Sequence, residues 1–400
     1  MNILYCSVAC SQNMLEYLSA KTGKVLAGVT VQKFHRLILS GMNANGACVD
    51  ALSSIPVVEK IDGKRVTKLG DDVQGNIRYK YLPAYNLPLC RQMMMFIHAF
   101  YHVFKWHKKH KNAPHVVVCD VLNVSMCLAV LCARVFTKLK AVGIVTDVPG
   151  LLMAAPKNVL EKLSDSVSHM FLTKFDGYVF LTEAMNDVLN PKKKPFIVME
   201  GLVDVQMKDQ TREDVRKKAD RTIIYAGGCY EQYGVKMLIE AFRRLPQKDI
   251  RLHIYGRGEM VGDMSKYEQL DSRFKYMGVR PNKEIVDEEL KATLLVNPRP
   301  THEEFTRYSF PSKNMEYMVS GTPVLTTNLP GMPKEYYPYV FVCEKETVQG
   351  FYEKLNEILA MPEADLAKKG ADAKAFVLEK KNNVVQAARI LNLAEELSSK

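Results

Sequence analysis

The sequence has no apolar run long enough to cross a bilayer. Its longest apolar stretch, from Val124 to Phe136, is interrupted by Arg134 and follows Asp120 and Asn123, whereas a membrane-spanning helix needs about 20 apolar residues. The N-terminus also lacks a basic region followed by a long apolar stretch, so it indicates a first strand and not a signal peptide. We therefore expect a cytoplasmic protein, either soluble or peripheral on the inner face of the cell membrane.

Cysteine motifs are missing as well. The sequence has nine cysteines, which is an odd number, and it has no C-x-x-C motif and no Cys/His cluster with zinc spacing. This excludes a disulfide-stapled scaffold and favours buried thiols in a reducing compartment. We expect no zinc site at these cysteines.

Acidic residues are scarce in the first half of the chain. Residues 1–200 contain 24 basic and 14 acidic side chains, whereas residues 201–400 contain 31 and 30. A basic excess in one half predicts an anionic partner for that half, such as a nucleotide, a lipid headgroup or a nucleic acid. No RNA-binding, zinc-finger or helix-turn-helix pattern supports nucleic acid.

The 400 residues, 47% of them apolar, are enough for two domains. Short β-branched runs such as His115–Cys119 and Thr222–Tyr225 alternate with helical patterns, which is typical of parallel βαβ units. The fold class is therefore α/β, with two Rossmann-like doubly wound domains at residues 1–195 and 196–381. An amphipathic helix at about 382–400 is expected to pack back on the first domain.

The densest functional signal is the segment Glu303–Val324. Pro311 suits the first turn of a helix and Gly321 its end, and a helix N-terminus attracts phosphate. Lys313 lies in the first turn, and Glu316 lies one turn deeper on the same face. A lysine for phosphate and a carboxylate for ribose hydroxyls suit a nucleoside diphosphate, although an ordinary surface lysine and helix glutamate would give the same pattern.

At this segment the chain resembles glycosyltransferase family 4, retaining enzymes with the GT-B fold. It is similar to the bacterial polysaccharide-assembly group with the pattern F-P-S-K-x-x-E-Y-x-x-S-G-x-P, here Phe310 to Pro323. The resemblance implies two domains that face each other across a cleft. It implies a nucleotide-sugar donor, expected to be UDP-linked, in the C-terminal domain and a saccharide or lipid-linked acceptor in the N-terminal domain. It implies no metal ion and no cofactor beyond this co-substrate.

The chain departs from the family pattern at two places. Tyr308 stands where the family has the first glutamate of its pair, and Glu303 or Glu304 could replace it. In the glycine-rich loop, Gly228 and Tyr233 stand where the family has a basic residue and a lysine.

These departures imply that other cations neutralise the diphosphate. Lys313, Arg299 and Arg257 are the candidates. The departures also keep two alternatives open: another GT-B enzyme, such as a nucleotide-sugar epimerase or a phosphorylase, or a non-catalytic subunit that binds nucleotide or membrane.

The candidate donor site contains glycines that follow strands and the polar residues of the motif. These residues are Gly227, Gly228, Arg257, Gly278, Arg299, Tyr308, Ser309, Ser312, Lys313 and Glu316. The candidate catalytic residues are Lys313, Asp147 and Glu304. On the acceptor side the candidates are Ser11, Gln12, Asn13 and Thr146.

Two of these assignments have structural alternatives. Thr146 and Asp147 stand where the family often has His-Asp, and Asp147 would either bind sugar hydroxyls or cap the next turn. Ser11 would either contact a ligand or cap a helix.

A basic and aromatic segment, Tyr101–Lys111, contains the only tryptophan, Trp106. Apolar residues at helical spacing with clustered lysine and histidine fit an interfacial helix on anionic lipid. A core helix that ends in a solvated lysine cluster fits the same residues.

Overall fold

The computed structural model describes residues 1–22, 29–55, 65–87, 90–148, 170–210 and 221–399. The chain forms two compact units, Met1–Leu202 with Asn383–Lys400 and Val203–Asn382. The division after Leu202 lies slightly beyond the boundary expected at residue 195. Among the described residues, no helix has the length and apolar character needed to cross a membrane.

The first unit is built on a sheet of eight strands. They are β1 (Asn2–Ser7), β2 (Cys48–Ser53), β4 (Asp72–Gln74), β5 (Ile77–Tyr81), β7 (His115–Asp120), β8 (Ala141–Val145), β9 (Gly177–Phe180) and β10 (Phe196–Val198). Their order is β10-β9-β8-β7-β1-β2-β5-β4. All pairs are parallel except β4 with β5. Two short strands, β3 (Val66–Thr67) and β6 (Ala84–Tyr85), pair separately.

Five described helices connect these strands. They are α1 (Gln12–Thr22), α2 (Val29–Ala44), α3 (Arg91–His110), α4 (Val124–Val135) and α5 (Glu183–Leu189). Asn123 starts α4 by accepting a hydrogen bond from the Met126 amide at 3.3 Å, as a helix N-cap does. From β1 the chain continues to β2, towards one edge of the sheet, and from β7 it continues to β8, towards the other edge. The topological switch point therefore lies between β1 and β7.

The second unit repeats this arrangement with six strands. They are β11 (Arg221–Ala226), β12 (Ile250–Tyr255), β13 (Phe274–Gly278), β14 (Leu294–Asn297), β15 (Val324–Thr327) and β16 (Phe341–Cys343). Their order, β13-β12-β11-β14-β15-β16, is parallel throughout and places the switch point between β11 and β14. Neighbouring residues Ile223 and Ile224 enter different hydrophobic clusters, so this sheet is covered on both faces.

The helices of the second unit are α6 (Val235–Arg243), α7 (Met264–Leu270), α8 (Asn282–Glu289), α9 (Ser312–Ser320), α10 (Val348–Leu359) and α11 (Glu363–Lys380). Helix α9 ends at Gly321 with φ +80°, as its sequence predicts. The prediction of an α/β protein with two Rossmann-like domains is confirmed.

The last helix, α12 (Asn383–Ser398), returns to the first unit and packs on α2. The two helices approach each other closely at Gly41 on α2. A Cβ added there would lie 2.1 Å from the Asn383 carbonyl oxygen and 2.8 Å from the Ala387 Cβ. Only a glycine therefore permits this separation of the two helices.

We expect Gly41→Ala to destabilise the first unit by about 1–3 kcal/mol, because overpacking against backbone forces α12 to shift. Urea unfolding followed by Trp106 emission measures the change. Gly70→Ala is the matched control, because its Cβ would meet nothing within 4 Å. Equal midpoints for the two variants would contradict the packing of α12 on α2.

Candidate functional site

The loops that follow β11 and β14 touch at the switch point of the second unit. Gly234 has φ +76°, and a Cβ on it would lie 2.0 Å from the Pro298 carbonyl oxygen. Only glycine combines this backbone conformation with this close approach. The contact places the loop containing residues 227–234 against the segment that contains Arg299.

The glycine loop also lies against the turn that follows β12. The Gly227 amide donates to the Tyr255 carbonyl at 2.8 Å, and the Cys229 amide donates to the Arg257 carbonyl at 2.9 Å. A Cβ on Gly256 would lie 1.7 Å from the Gly227 carbonyl oxygen. Two backbone segments therefore fix the path of Gly227 and Gly228.

Lys313, in the first turn of α9, lies directly on this loop. A Cβ added to Gly227 would be 1.4 Å from the Lys313 Nζ. The ammonium donates to the Tyr225 hydroxyl at 3.1 Å and lies 4.3 Å from the centre of that ring. The Tyr225 hydroxyl in turn donates to the Gly228 carbonyl at 2.7 Å. Lysine, tyrosine and glycine backbone thus form one connected group.

The charge on Lys313 is unfavourable in the empty site. Its pKa is lowered to about 8, mainly by burial and to a smaller extent by the positive charge of Arg299. The carboxylates of Glu316 and Glu289 raise the pKa, but by less. Because one pKa unit corresponds to about 1.4 kcal/mol, an anion bound next to Lys313 would relieve an electrostatic cost already present in the fold.

Arg299 supplies a second cation beside the same loop. Its guanidinium carbon lies 4.5 Å from the centre of the Phe305 ring and 5.3 Å from that of Tyr233, both within cation–π range. Tyr233 is the position where the family pattern has lysine. Arg299 therefore places a positive charge next to Tyr233, where the family pattern has a lysine and this chain has no charge.

Helix α9 is held in place by buried polar contacts that the sequence reasoning missed. The Tyr317 hydroxyl accepts from the Ala226 amide at 2.8 Å, and the Asn314 Oδ1 accepts from the Asn297 Nδ2 at 2.8 Å. These two contacts join α9 to the ends of β11 and β14. In the sequence, these contacts are indicated only by the spacing of Asn314 and Tyr317, which lie three residues apart and so on one face of the helix.

Several other predicted donor-site residues lie around this group. Gly278 ends β13 with φ +73° and its carbonyl accepts from the Gly256 amide at 2.9 Å. Arg257 is exposed, and its backbone carbonyl accepts the hydrogen bond from the Cys229 amide of the glycine loop. Glu316 is half-buried on α9, within the electrostatic range of Lys313.

The remaining predicted donor-site and catalytic residues of the second unit lie in the segment before α9 and at the first position of that helix. Glu304 is exposed at the start of a 3₁₀ turn that ends at Arg307, and Ser312 is exposed at the start of α9. Tyr308 is half-buried. The Ser309 hydroxyl is buried and has no hydrogen-bond partner among the described residues.

In the first unit, Ser11 is engaged in the fold. Its Oγ accepts from the Met14 amide at 3.1 Å and so caps α1, and its hydroxyl also donates to Asp72. Gln12 and Asn13, two of the acceptor-side candidates, form the exposed first turn of α1. The helix starts here because Ser11 satisfies its free amides.

Helix α2 fixes the loop that follows β1. Gln32 accepts from the Cys10 amide at 2.8 Å and donates to the Val8 carbonyl. One turn away, the buried His35 lies between the Tyr5 hydroxyl at 2.7 Å and the Asp120 carboxylate at 3.3 Å. These contacts were not foreseen, because the sequence places the residues on separate elements.

Thr146 and Asp147 follow β8 and are both half-buried. They lie at the same edge of the first sheet as the loop after β1, because all these strands are parallel. Within the described parts of the chain, no three His, Cys, Asp or Glu side chains are grouped as metal ligands.

Comparison with known proteins agrees with this architecture. Residues 207–374 match the family model Glycosyl transferases group 1. No curated protein sequence matches the chain. The matched residues 207–374 cover most of the second unit and include Lys313, Tyr225, Gly227 and Gly228.

Solved structures resemble the whole chain. Sucrose-phosphate synthase from Thermosynechococcus elongatus has a TM-score of 0.69 at 15% identity, covering 100% of this chain and 99% of its own. Anabaena HepE in complex with UDP has a TM-score of 0.64 at 13% identity, covering 100% of both chains. The E. coli trehalose-6-phosphate structure bound with UDP-2-fluoro glucose has a TM-score of 0.62 at 11% identity, covering 98% and 99%. The fold is therefore GT-B.

We expect Lys313→Met to leave the ligand-free protein at least as stable as the wild type at pH 7. The low pKa of Lys313 means that its charge opposes folding below pH about 8, and that this penalty disappears as the pH approaches about 10.4, the value in the unfolded chain. The ammonium is buried, but the residue as a whole is only half-buried, so we expect a gain of about 1–2 kcal/mol, less than the full pKa shift would give.

Urea unfolding of both proteins between pH 7 and 10 measures this difference, which should shrink as the pH rises. Lys283→Met, at an exposed site on α8, is the control and should show no such trend. A large loss of stability in Lys313→Met at pH 7 would contradict the prediction, because it would mean that the charged lysine stabilises the fold.

Proposed function

We propose that the chain is a retaining glycosyltransferase that moves a hexose from a UDP-linked sugar to a saccharide or lipid-linked saccharide acceptor, in the biosynthesis of a cell-surface polysaccharide or an exopolysaccharide. The observation that carries the proposal is the position of Lys313. Its ammonium is buried against Gly227, in the first turn of α9 and at the switch point of a parallel sheet. Ligands of such sheets bind at this point.

In this proposal the donor diphosphate binds between α9 and the glycine loop. Lys313 and Arg299 supply positive charge, and Gly227 and Gly228 allow the phosphates to approach the backbone. Glu316, one turn into α9, accepts hydrogen bonds from the ribose. The UDP in the Anabaena HepE structure and the UDP-sugar analogue in the E. coli structure support UDP as the nucleotide.

Transfer then depends on charge stabilisation. When the bond between the sugar and the diphosphate breaks, negative charge grows on the leaving group, next to Lys313 and the N-terminus of α9. Fixed positive groups lower the energy of this transition state. We assign no covalent nucleophile. Glu304 and Asp147 are proposed to contact sugar hydroxyls, and no metal ion is required.

We expect Lys313→Ala to lower turnover more than it raises the donor KM. The charge that it neutralises increases towards the transition state, and loss of one such contact costs about 2–4 kcal/mol, or roughly 30- to 1000-fold in rate. Glu316→Ala should mainly weaken nucleotide binding, since a ribose contact changes little during the reaction.

The test begins with thermal shifts over UDP-, GDP- and ADP-sugars, followed by calorimetry with UDP and by steady-state release of UDP from the preferred donor. Lys283→Ala is the matched lysine control. Near wild-type kcat for Lys313→Ala would remove this lysine from the mechanism. Absence of any nucleotide binding by the wild type would contradict the proposal as a whole.

We expect Arg299→Gln to weaken UDP binding by about tenfold or more, and Arg257→Gln to have little effect. The guanidinium of Arg299 is enclosed by Tyr233 and Phe305, so its charge is poorly screened. The Arg257 side chain is exposed and its charge is screened by solvent. Calorimetry with UDP compares the two variants, and equal losses would show that the enclosure of Arg299 is irrelevant.

A further inference from the structure

We propose that the exposed face of α3, together with the end of α4, docks on an anionic lipid bilayer. The proposal does not depend on the proposed function. It begins with the orientation of α3, whose buried side chains Ala99, Val103 and Trp106 define the face directed at the sheet. The opposite face is directed at solvent and should be polar in a surface helix.

That solvent face is apolar. The side chains of Met93, Ile97 and Tyr101 are 54%, 46% and 55% exposed. A spacing of four residues places them in one line along the helix. A single exposed apolar residue needs no explanation, but a continuous stripe indicates a contact surface.

The stripe continues onto α4. Val135 and Phe136, at the end of that helix, are 80% and 72% exposed. The Phe136 ring lies edge-on to the Phe100 ring of α3, with centres 6.3 Å apart. We call Met93, Ile97, Tyr101, Val135 and Phe136 the apolar patch.

Positive charge lies beside the apolar patch. Helix α3 contains no acidic residue, and its last turns and the residue that follows carry four exposed lysines, Lys105, Lys108, Lys109 and Lys111. We call these four the basic cluster. The Lys105 ammonium lies 5.8 Å from the centre of the Tyr101 ring, so the cluster and the patch are contiguous.

This combination favours lipid over other anionic partners. Amphipathic helices on membranes insert aliphatic and aromatic side chains at the level of the headgroups while lysines contact anionic lipid. Nucleic acid would use the lysines but would leave Ile97 and Met93 in contact with water. Each lysine near an anionic surface strengthens binding by about fivefold.

The experiment is co-sedimentation with phosphatidylcholine vesicles, with and without phosphatidylglycerol. We expect the wild type to bind only the anionic vesicles, and more weakly as salt rises past about 0.15 M. Replacing the four lysines of the basic cluster with glutamine should weaken binding at least tenfold and flatten the salt dependence. Ile97→Ser with Tyr101→Ser should weaken binding without changing the salt dependence.

A charge-matched control replaces four exposed lysines of the second unit, Lys248, Lys275, Lys283 and Lys334, with glutamine, and should bind as the wild type does. Trp106 emission and the melting temperature confirm that α3 is intact in each variant. Calorimetry with UDP should give wild-type values for every variant, so loss of docking is distinguishable from loss of nucleotide binding.

Three results would overturn the proposal. The wild type could fail to bind anionic vesicles, or the control variant could lose as much binding as the variant of the basic cluster. The wild type could also bind a short DNA duplex through the same lysines without binding vesicles, which would assign the surface to nucleic acid.

Discussion

The burial of one ammonium group against a glycine backbone is the constraint on which the candidate site depends. Lys313 reaches this position because Tyr317 and Asn314 join α9 to the ends of two strands, and because Gly227 has no Cβ to exclude it. Burial and the nearby Arg299 make its charge costly. A site that holds such a charge before the ligand arrives pays no reorganisation when the ligand binds, which is the basis of electrostatic preorganisation.

The two units have the same switch-point topology but hold their loops differently. In the second unit, glycines bring backbone segments into direct contact at Gly234 and Gly256. In the first unit, Gln32 hydrogen-bonds the backbone of the loop after β1, and His35 connects Tyr5 to Asp120. Glycine allows backbone segments to approach this closely because it has no Cβ. One topology therefore has a loop held by backbone contacts in one unit and a loop held by side chains in the other.

Local patterns predicted strands β7 and β11, both ends of α9 and the glycine loop, since each depends on residues close in sequence. Contacts between distant residues were not predictable. Arg299 lies over Tyr233 only because two loops meet at Pro298, and no sequence pattern relates those positions. Tyr225 resembles an ordinary core residue of β11, and its hydroxyl gains a role only when α9 places Lys313 upon it. The sequence left two roles open for Ser11, a ligand contact or a helix cap, and only the structure shows that it caps α1.

The lysines of α3 have an explanation within the fold, but the apolar patch does not. Cations in the last turn of a helix are stabilised by its dipole, which accounts for Lys108 and Lys109 without any partner. That effect adds roughly 0.3–1 kcal/mol at a surface and does not require apolar neighbours. Exposed Ile97 and Phe136 gain nothing from the dipole and contact water. The exposure of the apolar patch is therefore the feature that the fold does not explain. Among anionic partners, a bilayer would bury the apolar patch and contact the basic cluster at the same time.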